Sequence, residues 1–299
     1  MSTIKKLKAF LPNPLRDKLR VYAYRAETAV RRPRFSEINA PENGWPVLLG
    51  ISFPKSGTHL LNQILLGFSE FAPFAHHIPL SFASYDGDTG EKRSVDEALA
   101  YLNTLRPLDV SAAHLLAWPE VVERVASPDF VPFFIFRDPR DVVVSHVFYI
   151  AEMLPDHHHH HYYAEELHSF DERLMVSILG LPDGDVEFPN IAERFSLYID
   201  WLDRPEVLKL HFEDFIHNRR ETLGTVYDHL NKRVPNLPIS REKAINLLEE
   251  SINPAHSPTF RSGKTGEWKK YFTDEHKRIF KEVAGELLIR LGYEEDRNW

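Results

Sequence analysis

The chain contains no cysteine. Disulfide bonds, thiolate nucleophiles and cysteine-bound zinc are therefore excluded, and any chemistry must use lysine, histidine, serine, arginine or carboxylate side chains. The sequence also lacks an apolar run near the roughly 20 residues that a membrane-spanning helix requires. No stretch combines a basic start, a short apolar segment and a small-residue cleavage site, as a signal peptide would. These absences predict a cytoplasmic protein.

What is present is typical of a globular protein with one large domain. Of the 299 residues, 43% are hydrophobic and 27% are charged, which supplies enough apolar material for a full core. The net charge is −8. An acidic body argues against a nucleic-acid partner, because such a partner normally requires a broad basic face.

Residues 1–34 differ from the rest of the chain in their charge. They hold ten basic residues and two acidic ones, mixed with apolar and aromatic side chains and interrupted by Pro12 and Pro14. We interpret the segment as a basic amphipathic arm of two short helices, followed by one domain over residues 35–299. Two interpretations of the arm stay open: it packs on the domain, or it makes peripheral contact with an anionic membrane surface.

The stretch from residue 46 to residue 66 is the one around which the rest of the chain is organised. An apolar run at 47–53 predicts a buried strand, and leucine and isoleucine at helical spacing over 60–65 predict a helix. Between them Gly57 permits a tight turn, and the first amides of the helix point outward with the positive end of its dipole. With Lys55 beside these amides, the junction predicts an anion site.

Other apolar segments alternate with helical segments along the chain. The further strands are predicted at 108–114, 130–136 and 207–212. This alternation predicts a single α/β domain with a central, mostly parallel sheet flanked by helices, whose ligands bind at the carboxyl ends of the strands. Lys55, His114 and Arg137 all follow such strand ends.

Four motifs, in this order, resemble those of the sulfotransferases, which use 3′-phosphoadenosine 5′-phosphosulfate (PAPS) as sulfuryl donor. Pro-Lys-Ser-Gly-Thr at 54–58 is similar to the family's 5′-phosphosulfate loop, and Arg-Asp-Pro-Arg-Asp-Val-Val-Val-Ser at 137–145 resembles its 3′-phosphate motif. The segment at 207–215 resembles the strand before the family's Tyr-Glu-Asp. Phe-Arg-Ser-Gly-Lys-Thr-Gly-Glu-Trp at 260–268 is similar to the segment that folds over the donor.

The resemblance implies a PAPS-dependent sulfotransferase that moves a sulfuryl group to a hydroxyl, or to an amine, of its acceptor. It implies that Lys55 acts at the bridging oxygen of the leaving group and that His114 is the general base, whose ordinary pKa suits proton removal near neutral pH. No metal is implied, because amides and arginines bind the donor. The implied donor-binding residues are Lys55, Ser56, Gly57, Thr58, His59, Arg137, Ser145, Arg261, Ser262 and Gly263.

The sequence leaves three alternatives open. His76 and His77 are rival bases, since some relatives draw the base from the loop after the first helix. An NTP-dependent kinase or NTPase is a competing class, although Lys55 precedes the glycine of its loop rather than following it, unlike a Walker motif. A catalytically silent nucleotide-binding protein is the third. Leu60 also stands where many members place the tryptophan that stacks on adenine.

Two segments, 71–85 and 153–163, are expected as loops at the mouth of an acceptor pocket. Their aromatic side chains are Phe71, Phe74, Phe82, Tyr85, Tyr162 and Tyr163. Aromatic walls favour a bulky, partly apolar acceptor, either a small molecule or a lipid-linked one. The second segment also holds five consecutive histidines, 157–161, whose side chains point in different directions. We therefore interpret it as a mobile loop or lid rather than a metal site.

Overall fold

The structure, a computed structural model, describes residues 13–181, 188–257 and 261–299. The first of the two short helices predicted for the arm, and Phe260 of the C-terminal motif, lie outside the described residues. Within them, none of the helices is long and apolar enough to cross a membrane.

Five parallel strands form one sheet in the described part of the chain, in the order β2–β3–β1–β4–β5. The strands are β1 (Val47–Ser52), β2 (Ser81–Ala83), β3 (Val110–His114), β4 (Phe130–Phe136) and β5 (Leu208–His211). The predicted parallel α/β architecture is confirmed. Because β1 lies between β3 and β4, the residues that follow these three strands meet at one edge of the sheet.

The central strand is buried on both faces, as a continuous apolar run requires. All six residues of β1 are buried. Leu49 and Ile51 belong to one hydrophobic core and Leu48 to a second core on the opposite face. Gly50 permits the close approach of a helix, because a Cβ atom there would lie 3.1 Å from the Leu65 side chain.

Helices cover both faces of this sheet. Their bounds are α1 (Asn13–Arg31), α2 (Thr58–Gly67), α3 (Val95–Thr104), α4 (Pro119–Val125), α5 (Pro139–Phe148), α6 (Phe170–Leu179), α7 (Ile191–Ser196), α8 (Asp214–His217), α9 (Arg219–Arg233), α10 (Arg241–Glu250), α11 (Trp268–Tyr271) and α12 (Asp274–Arg290). The predicted capping box that begins α3 is present, with Ser94 and Glu97 exchanging hydrogen bonds. Short 3₁₀ turns, such as Ile199–Asp203, link several of these helices.

The described part of the arm is the helix α1, which packs on the domain. Arg25 forms an ion pair of 2.6 Å with Asp109, just before β3, and also donates to the Thr104 carbonyl at 2.9 Å. Arg31 donates to the Ser69 carbonyl at 3.0 Å. The basic residues on the inner face of α1 are therefore engaged by the domain.

Candidate active site

The loop between β1 and α2 depends on two residues with left-handed backbone conformations. Lys55 has φ 67° and Gly57 has φ 100°. Glycine tolerates this region, whereas for lysine it is uncommon and strained. A Cβ atom at Gly57 would also lie 2.7 Å from the Phe212 ring. Gly57 caps the start of α2, so the loop presents the first amides of the helix toward Lys55.

Lys55 lies in a strongly electropositive environment. Its pKa falls from the usual 10.5 to about 7, first because of burial and then because of the nearby positive charges of Arg137 and Arg261. Its Nζ atom lies 3.6 Å from the centroid of the Tyr149 ring. Three cationic groups from separate parts of the chain are thus close enough for their charges to interact, which is the arrangement expected for a polyanionic ligand.

His114 ends β3 in a geometry that suits a proton acceptor. Its Nδ1 atom lies 2.9 Å from the Ser52 carbonyl oxygen and 3.2 Å from Ser52 Oγ. Because a carbonyl oxygen only accepts hydrogen bonds, Nδ1 carries the hydrogen and the lone pair is on Nε2. Burial, and then the charges of Lys55 and His59, lower the pKa of His114. The ring is therefore neutral at pH 7.

Arg137 follows β4 and points into the same region. Its Nη2 atom donates to Asp141 at 3.1 Å and to the Lys264 carbonyl at 2.7 Å. The guanidinium lies 4.8 Å from the centroid of the Phe212 ring. Within the described residues its Nε atom is buried without a hydrogen-bond partner, and so is Ser56 Oγ. Such buried groups are normally satisfied, and here a bound anion would satisfy them.

Asp141 connects the two predicted 3′-phosphate motifs, a role that sequence reasoning missed. Its carboxylate is buried and accepts hydrogen bonds from the amides of Gly266 at 2.8 Å and Trp268 at 2.9 Å. It also pairs with Arg137. The four-residue spacing of this pair was a usable signal, since such residues share one face of a helix. Asp141 therefore holds the C-terminal motif against α5.

The C-terminal motif contributes Arg261, Ser262 and Gly263. Arg261 pairs with Glu267, and its guanidinium lies 4.4 Å from the centroid of the Phe148 ring at the end of α5. Ser262 Oγ donates to Glu267 at 2.6 Å, and Gly263 has φ 62°. Since α5 also carries Ser145, the structure brings the predicted 3′-phosphate residues to the same helix.

Arg140, in the same motif as Arg137, has a different environment. It pairs with Asp138 at 2.8 Å and with Glu294 at 2.5 Å. Its guanidinium also lies 4.2 Å from the ring of Trp268 and 4.5 Å from that of Trp299. Arg140 therefore joins α5 to the C-terminal segment and is not available to a ligand.

The rival bases His76 and His77 do not reach this site. The amide of Ala75, the residue before them, donates to the Leu108 carbonyl at the amino end of β3. The chain then runs beside β3, until Ala83 pairs with His114 at the carboxyl end. His76 and His77 therefore lie toward the opposite end of the sheet from His114.

Some of the aromatic residues predicted at the pocket mouth are buried in the core, and others are accessible. Phe71 and Phe74 are 7% and 2% exposed and Tyr163 is fully buried, so the prediction was wrong for these three, which pack in the core. Phe82 belongs to β2 in a segment predicted as a loop. Phe82 is partly accessible and Tyr85 is exposed. Phe82 pairs with Ala113, and it is the next residue, Ala83, that pairs with His114.

The five histidines pack between two π-helical turns, Tyr149–Met153 and Tyr162–Glu166. His158 donates to the Gly87 carbonyl at 3.0 Å and His160 to the Ile150 carbonyl at 2.7 Å. Burial and the neighbouring rings lower the pKa of His159 to about 3. The run therefore lies beside the turn whose first residue, Tyr149, covers Lys55.

Comparison with known proteins gives a consistent family match. Residues 46–292 match a family model described as a sulfotransferase domain. Sulfotransferase 1E1 of Bos taurus is 22% identical over 262 residues, covering 76% of this chain and 78% of that protein. Sulfotransferase 1A1 of Rattus norvegicus is 25% identical over 257 residues, covering 77% and 80%.

Solved structures share the fold. Mouse sulfotransferase SULT7A1, complexed with PAP, superposes with a TM-score of 0.55 at 18% identity and covers 87% of this chain and 90% of its own. Retinol dehydratase in a complex with retinol and PAP superposes with a TM-score of 0.53 at 16% identity, covering 84% and 83%. At these identities the likeness establishes the arrangement of the elements.

Proposed function

The chain belongs to the sulfotransferase domain family and is a PAPS-dependent sulfotransferase, and from this premise we propose that Lys55 and His114 carry its chemistry. The acceptor's hydroxyl gives its proton to Nε2 of His114 as its oxygen forms a bond to sulfur. The bond between sulfur and the bridging oxygen of the 5′-phosphate breaks on the opposite side. The products are the sulfated acceptor and 3′-phosphoadenosine 5′-phosphate (PAP).

The convergence of Lys55, Arg137 and Arg261 is the observation that carries this proposal. Charge develops on the leaving phosphate during transfer, and a preorganised cation beside it stabilises the transition state more than the ground state. Lys55 is the group for the bridging oxygen. Burial is the main cause of its depressed pKa, and the positive charges of Arg137 and Arg261 add to it. An anionic donor would offset both effects.

The remaining predicted residues are assigned to donor binding. The amides from Gly57 to His59, at the start of α2, suit the 5′-phosphosulfate, and Ser56 offers its unpartnered hydroxyl. Arg137 and Arg261, with Ser145, Ser262 and Gly263, form the pocket for the 3′-phosphate. Guanidinium groups match phosphate geometry well, and the unpartnered Nε atom of Arg137 is the donor that remains for it.

The acceptor is proposed to be the hydroxyl of a bulky, partly apolar small molecule. Phe82 and Tyr85 are accessible and lie on either side of Ala83 in the chain. Ala83 pairs with His114, and aromatic side chains near a site favour such ligands. One structural neighbour is crystallised with retinol and another complex holds androsterone, and both ligands are bulky, largely apolar alcohols. More specifically, we propose that this acceptor hydroxyl belongs to a lipid-linked molecule.

The outer face of α1 supports a membrane-surface location for that acceptor. Tyr22 and Val30 are 65% and 79% exposed, and Leu19 is also exposed. Spacings of three and eight residues place these side chains on one face of the helix. Lys18, one turn before Tyr22, is exposed as well. An apolar stripe flanked by positive charge suits an anionic bilayer surface, where each basic residue contributes about 1 kcal/mol.

A transfer assay tests the function. Purified protein is incubated with PAPS and a panel of hydroxyl acceptors, including retinol-like and steroid-like alcohols and small sugars, and PAP release is measured. We expect release that depends on a bulky acceptor and is lost in Lys55→Ala. Thermal-shift measurements with PAP and with ATP accompany it. Stabilisation by ATP and magnesium but not by PAP would instead support the kinase or NTPase class.

Vesicle sedimentation tests the membrane contact separately. The wild type is compared with a variant that carries Leu19→Ser, Tyr22→Ser and Val30→Ser, on anionic and on neutral vesicles. Leu179→Ser serves as the control, since Leu179 is an exposed leucine on another helix. We expect only the triple variant to lose pelleting with anionic vesicles. High salt should weaken the pelleting of the wild type and of the control. Equal, negligible pelleting of all three proteins would contradict the contact and favour a soluble acceptor.

A further inference from the structure

Three side chains with metal-ligand chemistry meet where α1 contacts the domain. Nε2 of His76 lies 3.3 Å, and Nε2 of His77 lies 3.4 Å, from the same oxygen of Glu27, Oε2. One ligand atom from each of the three residues lies within 4.8 Å of the others. The two imidazoles come from the segment after α2, and the carboxylate comes from α1.

The two separations from Glu27 fit a tetrahedral ion. Zinc binds imidazole nitrogen and carboxylate oxygen at about 2.0–2.1 Å, which in a tetrahedron places the ligand atoms about 3.3–3.4 Å apart. The two distances from Glu27 match this spacing. Two histidines and one glutamate are also a ligand set that zinc uses when its fourth position holds water or another small ligand.

The elements that carry the three ligands are held independently of any ion. The Arg25 ion pair with Asp109 fixes α1 against the start of β3. The amide of Ala75 donates to the Leu108 carbonyl at 2.9 Å and fixes the segment that leads to His76. The Tyr24 ring stacks on His77 with 4.4 Å between centroids. The ligands are therefore placed before a metal binds, which lowers the ordering cost of binding.

Arg31, whose positive charge acts on His76, is itself held by the domain. Arg31 donates to the Ser69 carbonyl at 3.0 Å and lies 4.0 Å from Glu70. The cluster is partly exposed, with His77 and Glu27 more open than His76. An ion can therefore enter from solvent, and the open side leaves room for a water ligand.

We propose that Glu27, His76 and His77 form a zinc site that joins α1 to the domain. The site lies at the amino end of the sheet, away from Lys55 and His114, so the ion has no part in sulfuryl transfer. Its effect is on the arm: with zinc bound, α1 is tied to the segment after α2 by coordinate bonds as well as by the Arg25 ion pair. The availability of zinc would then set how firmly the arm is docked.

Zinc titration of the full chain tests the site. The five consecutive histidines also present imidazoles, so wild type is compared with Glu27→Gln/His76→Asn/His77→Asn, in which that run is unchanged. His256→Asn, at an exposed histidine elsewhere, is the control. We expect isothermal titration calorimetry to show one fewer zinc equivalent in the triple variant only. Each single substitution should weaken that equivalent by at least about 10-fold.

Hydrogen exchange supplies a readout that the histidine run does not affect. We expect zinc to slow amide exchange in α1 of the wild type and of His256→Asn, and to leave it unchanged in the triple variant. The single variant Glu27→Gln, which keeps both histidines, is measured in the same way in case the triple variant folds poorly. The proposal would be overturned if the triple variant bound as many zinc equivalents as the wild type. It would also be overturned if zinc left amide exchange in α1 of the wild type unchanged.

Discussion

The amino group of Lys55 lies 3.6 Å from the centroid of the Tyr149 ring, in the position of a cation–π contact. Tyr149 begins the π-helical turn Tyr149–Met153, directly after α5. Ser56, which the resemblance implied as a donor-binding residue, has a buried Oγ without a hydrogen-bond partner among the described residues. In the absence of the donor the lysine is therefore positioned by an aromatic ring. Contacts of this kind contribute about 0.5–2 kcal/mol.

Replacement of Tyr149 should affect transfer more than donor binding. Tyr149→Phe keeps the ring and should keep near-normal turnover. Tyr149→Leu removes the ring, and a loss of about 1 kcal/mol corresponds to a roughly fivefold lower kcat. Steady-state kinetics with separate kcat and KM for PAPS check this. Equal kcat in the phenylalanine and leucine variants would show that the ring does not position Lys55.

Donor affinity should depend on pH through Lys55. Its pKa in the free protein is about 7, and a bound polyanion favours the charged amine, so the pKa rises on binding. The contribution of the charged Lys55 amine to donor binding is complete well below pH 7. It is lost as the pH rises through the higher pKa of Lys55 in the complex. Calorimetry of PAP binding at pH 6.5 to 8.5, in buffers of different ionisation enthalpy, should show proton uptake near pH 7–8. Lys55→Met separates this uptake from that of the phosphates, and an unchanged uptake in this variant would contradict the assignment.

His114 should be required for chemistry but not for folding. His114→Ala removes the base, which typically contributes about 10²- to 10⁴-fold to the rate, while PAP binding and the melting temperature change little. His76→Ala and His77→Ala are matched controls, because both lie at the far end of the sheet, and they should keep wild-type turnover. Loss of transfer in either control, with His114→Ala active, would reverse the assignment.

Replacement of the two arginines of the 3′-phosphate motif should affect different properties, PAP binding for Arg137 and folding stability for Arg140. Arg137→Ala should weaken PAP binding by about 10- to 150-fold, the loss expected for a charge-assisted bond of about 1.5–3 kcal/mol. Arg140→Ala leaves the buried Asp138 without its charged partner and should lower the free energy of unfolding by about 3–5 kcal/mol. Arg137→Ala should lower it less, because Asp141 keeps two backbone amide donors, those of Gly266 and Trp268. Denaturant unfolding and calorimetry on both variants distinguish the two roles. The reverse pattern would show that Arg140 is the ligand.

The sequence predicted the elements whose signals are local. Apolar runs before Lys55, His114 and Arg137 were sufficient to place these residues at strand ends, because buried parallel strands need such runs. The three-residue β2 has no such run and was predicted as a loop. Phe71 and Phe74 were misplaced because aromatic residues without a clear period can pack in a core as readily as they line a pocket.

Other parts of the site depend on contacts between distant segments. Asp141 accepts from the amides of Gly266 and Trp268, more than 120 residues away, and no local pattern encodes such a pairing. The position of His76 relative to His114 follows from the order β2–β3–β1 in the sheet. A single sequence does not determine that order, so the distance of the rival bases from His114 in the sheet was known only from the structure.

The central claim, a PAPS site with a 3′-phosphate pocket built by Arg137 and Arg261, is tested most directly by calorimetry with two nucleotides. PAP and adenosine 5′-monophosphate share the adenosine and the 5′-phosphate, and only PAP carries a 3′-phosphate. We expect the wild type to bind PAP at least about 10-fold more tightly, and Arg137→Ala to lose most of that preference. Equal affinities of the wild type for the two nucleotides would contradict the account.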